Sequence, residues 1–191
     1  MTDTDVAIRG RKVVLRGKRI EDAEDDYRWR ADEELAALDA TSPLRISLQE
    51  FSRMYQGEVR HPTPWARRYA IDTHNGNHIG NCMVYDIDTA SGAAELGIMV
   101  GEREYWDRGY GVDAMACLVE EALKLPAMGR LYLHTLVWNH RARRAFAKCG
   151  FREVREVRRG NRDFVRMETI REEWEALRPT LLDPTEEAEG R

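Results

Sequence analysis

Apolar residues recur along this chain with two periods, and the switch from one to the other outlines the fold. Lys12 to Arg16 reads as a short first strand. From Glu21 to Leu38, the residues Ala23, Tyr27, Ala31, Leu35 and Leu38 fall at helical spacing among acids, predicting one helix or a broken one. Thr41-Ser42-Pro43 interrupts it. Ser47 with Glu50 then forms a capping-box pattern ahead of Leu48, Phe51, Tyr55 and Val59, which predicts a second helix. After His61-Pro62-Thr63-Pro64 the period falls to two. Trp65, Arg67, Tyr69 and Ile71 alternate up to Asn75-Gly76, the strongest short hairpin signal. Ile79 to Ile87 alternates again and stops near Ser91-Gly92, and Ala93 to Val100 completes an antiparallel meander.

The helical period returns at Val112, Met115, Ala116, Val119, Ala122 and Leu123, closed by Pro126. A strand from Arg130 to Val137 follows. Ala142, Ala145, Phe146 and Cys149 then share a helical face that Gly150 terminates. Phe151 to Val157 and Phe164 to Ile170 predict a last hairpin around Arg159-Gly160-Asn161. The pattern is that of an α/β (α+β) domain with a mixed, mostly antiparallel central sheet flanked by helices. The domain is expected to span 1–178. Beyond Arg178, two prolines and four acids predict a disordered tail over 179–191.

The composition narrows the function classes. The 191 residues suit one domain, and 42% hydrophobic with 34% charged residues describe a core inside a dense mixed-sign surface. No apolar run approaches the roughly 18 residues that would span a bilayer. The opening MTDTDVAIRG lacks the basic end and apolar middle of a secretion signal, so a cytoplasmic location and no membrane partner are expected. A net charge of -4 argues against nucleic acid as a partner, although Arg141, Arg143, Arg144 and Lys148 form a local basic cluster. Cys82, Cys117 and Cys149 lack ligand spacing and read as buried reduced thiols. His74 and His78 only flank a turn, and no metal is implied.

The stretch from Ala94 to Ala114 carries the chemistry. A strand holding the carboxylate of Glu95 leads into Arg108-Gly109-Tyr110-Gly111 and then a helix. Glycines admit a ligand close to the backbone, and the first helical turn offers unpaired N–H groups and the positive end of the dipole to a phosphate. The loop has neither the Gly-Lys-Ser/Thr of a P-loop nor the third glycine of a dinucleotide fold. Alone it would fit a tight turn as well as a phosphate site.

Together with NHRARRAFAKCGF, Asn139 to Phe151, the stretch resembles the GNAT acetyltransferase superfamily. Within it, the likeness is to the branch of ribosomal-protein N-terminal and polyamine acetyltransferases, over Lys12 to Trp174. The opening VVLRGKRIEDAEDDYRWRAD is similar to the branch's first strand and helix, and Met167 to Trp174 to its final strand. The resemblance implies acetyl-CoA as cosubstrate. It puts the pyrophosphate on Arg108, Gly109, Tyr110, Gly111 and Val112, and the pantetheine along Ile98, Met99 and Val100. Asn139, Arg144 and Phe146 join that set. Gly97 marks a bulge, a close backbone approach or a plain packing glycine.

The chain departs from the family at three positions. Trp106 stands first in the pattern Gln/Arg-x-x-Gly-x-Gly/Ala, which removes a side-chain donor to phosphate. Asp107 is repulsive beside pyrophosphate, with Arg103 or Arg108 to offset it. Phe146 has no proton to give where many relatives carry a tyrosine acid.

Glu95 is the candidate base, with a structural salt bridge to an arginine as the other reading. The acceptor is expected between the N-terminal helices and the last hairpin. Glu21, Asp22, Glu24, Asp25 and Asp26 would attract a cationic amine or merely be solvated. Trp65, Tyr69 and Tyr85 would line a pocket or belong to the core. The expected function is N-acetyl transfer from acetyl-CoA to a primary amine, of a peptide N-terminus or a small molecule, by direct attack. A non-catalytic acyl-CoA-binding sensor is the alternative, and a nucleotide-binding regulator a third reading. A second copy of the chain, as a homodimer, stays open.

Overall fold

Eight strands form one sheet in the order β1-β2-β3-β4-β5-β6-β8-β7. The computed structural model describes residues 8–182. The strands are β1 Ile8–Arg9, β2 Val13–Gly17, β3 Arg67–Thr73, β4 His78–Asp88, β5 Ala93–Val100, β6 Arg130–Leu136, β7 Arg152–Arg159 and β8 Arg162–Ile170. The helices are α1 Ala23–Ala31, α2 Glu33–Leu38, α3 Leu48–Arg60, α4 Tyr110–Leu123, α5 His140–Lys148 and α6 Arg171–Leu182. All strand pairs are antiparallel except β5 with β6. Among the described residues no helix is long and apolar enough to cross a membrane.

Strand alternation sorts the sheet into two unlike faces. One face carries Val13, Leu15, Tyr69, Ile71, Val84, Leu96, Leu131 and Leu133 against α4, whose Met115, Leu118 and Val119 are fully buried. Each such side chain contributes on the order of 2 kcal/mol through burial. On the other face, Arg16 meets Asp72 of β3 and Asp22 at the start of α1, with N···O distances of 2.6 and 2.8 Å. His78 joins this buried group, bridging Asp72 and Asp26 at 3.2 and 3.3 Å, and Lys18 pairs with Asp26 at 2.7 Å. Asp22 and Asp26 are therefore neutralised inside the protein, and neither is available to draw in a cationic amine. Asp25 pairs with Arg28.

The segment from Glu21 to Leu38 is broken. Asp32 is extended, and its side chain accepts from Leu35 N to start α2 as a separate helix. The C-terminal reading needs correcting twice. The last strand ends at Ile170, and Trp174 lies buried on α6 with its indole donating to Glu120. The helix also runs past Arg178 and Pro179 to Leu182, so the tail predicted from 179 starts inside α6. Leu181 and Leu182 pack against the main core and hold that last turn. The rest of the predicted tail, 183–191, lies outside the described residues.

Candidate active site

The parallel pair β5 and β6 is short, and its shortness opens the site. Pairing covers only Ala93 to Glu95 against Arg130 to Tyr132, after which the two strands diverge. Leu96 to Val100 keep their bonds to β4 but have none to β6, so this edge of the sheet is open to an extended ligand. Gly97 is in regular register with Met83 and is not a bulge. A Cβ there would meet the Tyr85 ring at 3.4 Å and Met83 at 3.5 Å, ordinary packing distances.

The chain reaches α4 through Arg103–Tyr105 and a tight loop. Asp107 and Gly109 both take positive φ, +56° and +86°. The first intrahelical bond runs from Asp113 N to Gly109 O at 3.0 Å, so the N–H groups of Tyr110, Gly111 and Val112 precede the ladder and have no partner within it. Asp113 does not compete for that terminus. Its carboxylate accepts from the backbone N–H groups of Arg11, Lys12 and Val13 at 3.0, 2.7 and 3.0 Å and ties α4 to the β1–β2 turn.

Across the opening, Asn139 caps α5 by accepting from Ala142 N at 3.1 Å. Trp106 links the two sides. Its indole donates to Val100 O at 2.7 Å, and the Arg141 guanidinium lies 3.6 Å from its ring centre. Trp106 thus fixes the loop to β5 and orients an arginine beside it.

A third wall comes from α2. A Cβ at Gly101 would overlap the Trp29 ring of α1, and the Trp29 indole donates to Glu102 at 3.0 Å. Arg103 bonds Asp32 and Glu34 at 2.9 and 2.8 Å. These contacts bring Leu35, Leu38 and Asp39 to the cleft, which measures about 240 Å³.

Ile98, Met99, Val100, Gly109, Gly111, Val112, Asn139, Arg144 and Phe146 all line this cleft. Arg108 and Tyr110 do not. Arg108 turns back to Glu104 O at 3.0 Å, and Tyr110 stacks edge-on with Tyr105 at 4.9 Å under Lys12. Tyr110 contributes at most its backbone N–H. Neither arginine proposed to offset Asp107 is aimed at it, since Arg103 is engaged by α2. Trp65 is exposed and Tyr69 is core, so neither forms an acceptor pocket.

Glu95 stands apart from the cleft lining, at the last paired position of β5. It is 4% exposed, and its partner is not an arginine. His134 Nδ1 lies 2.7 Å from Glu95 Oε1. His134 escaped the sequence reading because only the β5–β6 register reveals it, two residues beyond the last pair on β6. Tyr85 of β4 faces the same carboxylate. Burial, then proximity to Glu95, push its phenol well above the usual range and keep it protonated. Arg162 of β8 bonds the carbonyls of Ala40 and Thr41, so the last hairpin reaches the loop after α2.

The GNAT acetyltransferase domain model matches residues 12–152. The chain belongs to the GNAT acetyltransferase family. Its reaction is accordingly acetyl transfer from acetyl-CoA to an amine. The fold is shared with solved structures. The spermidine N-acetyltransferase of Vibrio cholerae, in complex with CoA and spermine, superposes with a TM-score of 0.74 at 19% identity, over 85% of this chain and 97% of that one. The aminoglycoside acetyltransferase AAC(6')-Ib in complex with coenzyme A gives 0.73 at 21% identity, over 87% and 99%. An uncharacterised Bacillus halodurans protein gives 0.75 at 15%, over 93% and 96%. No curated protein matches the sequence.

Proposed function

We propose that the cleft between β5 and β6 holds acetyl-CoA and that a primary amine, of a small molecule or a peptide N-terminus, attacks the thioester directly beside Glu95. The observation that carries this reading is the divergence of β5 from β6 immediately after Glu95. The free edge of β5 can bond the pantetheine amides, as an added strand would. The pyrophosphate would sit on the N–H groups of Tyr110, Gly111 and Val112, with Arg141 and Arg144 supplying charge. Gly111 fits that cradle, because its Cβ position meets only Val100 at 3.6 Å and leaves the backbone open.

In the transfer, the amine lone pair forms the new C–N bond, the C–S bond breaks, and the amine proton leaves to a base. Phe146 cannot protonate the departing thiolate, so that proton comes from solvent or from the amine itself. The acceptor enters between the loop after α2 and the last hairpin. The named neighbours act with spermidine and aminoglycosides, which supports small-molecule amines, but burial of Asp22 and Asp26 in ion pairs speaks against selection for polycations. Three buried free cysteines suit a reducing compartment and support a cytoplasmic location.

Phe146 favours the second reading, an acyl-CoA sensor without turnover. Incubation of an amine mixture with deuteroacetyl-CoA, followed by mass spectrometry, separates the two. An amine gaining one deuteroacetyl group identifies the acceptor, and no labelled amine with retained CoA binding would support the sensor.

A further inference from the structure

Glu95 and His134 form a buried pair at the fork of the sheet. Both side chains are only 5% exposed, and they lie 2.7 Å apart. A carboxylate accepts, so the Nδ1 of His134 carries the proton between them. That leaves Nε2 with a lone pair. Arg159 Nη2 stands 3.2 Å from both ring nitrogens, so the guanidinium rests against the ring rather than in line with either nitrogen. The arrangement is a carboxylate that orients an imidazole, with the free nitrogen directed away from the carboxylate.

Placement adds a second argument. Tyr132 is the last β6 residue paired with β5, and His134 is the next residue on the same face. It therefore stands on the diverging arm, further into the fork than Glu95. Glu95 of β5 bonds it, the Tyr132 ring lies edge-on at 5.9 Å, and Arg166 of β8 is its register partner, with the guanidinium 3.8 Å from the Tyr132 ring; Tyr85 and Asp86 of β4 act on Glu95 and Tyr132 beside it. Arg166 is engaged by Glu168 at 2.6 Å, whereas Arg159 sits on the exposed end of β7 beside the Gly160 turn, where its side chain can swing aside.

We propose that His134 Nε2 is the proton acceptor of the transfer and that Glu95 is its positioning residue, with Arg159 displaced from the imidazole ring by the incoming amine. The inference rests on the acetyltransferase reading. As the C–N bond forms and the C–S bond breaks, the amine proton moves to Nε2, while Nδ1–H stays bonded to Glu95. The imidazolium then returns its proton to the CoA thiolate or to solvent, so atoms and charge balance.

The test compares His134→Gln with Glu95→Gln, using calorimetric CoA binding to show that each variant is folded. His134→Gln should lower kcat about 100-fold or more and abolish its acidic limb, with CoA affinity within about twofold of wild type. Glu95→Gln should cost less, roughly tenfold, and keep the limb. In the free protein, nitrogen-15 spectra should show the His134 ring with its proton on Nδ1. Normal wild-type turnover with the variants in the reverse order, or an Nε2–H tautomer, would overturn the assignment alone. Absence of amine-dependent CoA release by wild type would overturn the acetyltransferase reading and the proposal with it.

Discussion

The Arg141 guanidinium lies 3.6 Å from the centre of the Trp106 ring, joining two walls of the cleft. Trp106 belongs to the loop before α4, and Arg141 to the first turn of α5. A cation stacked this closely contributes about 0.5–2 kcal/mol. Trp106→Ala removes the stack and the bond to Val100 O together, and should weaken CoA binding roughly tenfold. Trp106→Phe keeps a ring for Arg141 and should lose less. Titration calorimetry with CoA checks both.

Gly109 and Gly111 have different reasons to be glycine. Gly109 holds a φ of +86°, so Gly109→Ala should cost about 1–2 kcal/mol and weaken CoA binding by distorting the helix entry. Gly111 is helical, with Val100 3.6 Å from its Cβ position. Gly111→Ala should leave the unfolding midpoint within about 0.5 kcal/mol of wild type. Urea denaturation of the two variants distinguishes a backbone requirement from a steric one.

Asp113 anchors the same helix from below. Its carboxylate accepts from three backbone N–H groups, of Arg11, Lys12 and Val13. Asp113→Ala leaves those donors without their partner and should destabilise the protein by about 3 kcal/mol or more. Asp113→Asn presents an amide to donors and should recover only part of it. Denaturant midpoints give the ranking.

Much of this architecture was legible from periodicity. The meander, α4, α5 and the last hairpin follow from apolar spacing and from Asn75-Gly76, Ser91-Gly92 and Gly150, because local turn chemistry dictates them. The path of α6 was not legible. Two prolines and several acids resemble a tail, yet Trp174, Leu181 and Leu182 find apolar partners only once α4 is in place. The cleft glycines and Asn139 were readable as a motif. His134, Leu35 and the Trp106–Arg141 stack were not, since they depend on register and on the docking of α2. The turn of Arg108 toward Glu104 was likewise illegible, as nothing local reveals it.

The buried network under α1 sets a pH dependence of stability. Burial alone would raise Asp26, but the hydrogen bond from His78 and the charge of Lys18 outweigh it and hold the carboxyl at about 2. Its contribution, on the order of 2 kcal/mol, is present above the unfolded value near 4 and lost as pH falls toward 2. His78 has the opposite sign. Burial opposes its charge, yet the bonds to Asp26 and Asp72 raise its pKa above the ordinary value, so its contribution is full below about 6.5 and lost as pH rises through the folded value. The melting temperature should peak between about pH 5 and 6 and decline on both sides. His78→Gln should lower the peak and flatten the alkaline decline, which thermal scans across pH would show.

Amine-dependent thiol release tests the central claim most directly. The protein is incubated with acetyl-CoA and single primary amines, and free CoA is followed with a thiol reagent. The cleft, the open β5 edge and the Glu95–His134 pair predict release that saturates with at least one amine and matches its acetylation mole for mole. Tight CoA binding with release no faster than the amine-free background, across peptide and small-molecule amines alike, would contradict the account.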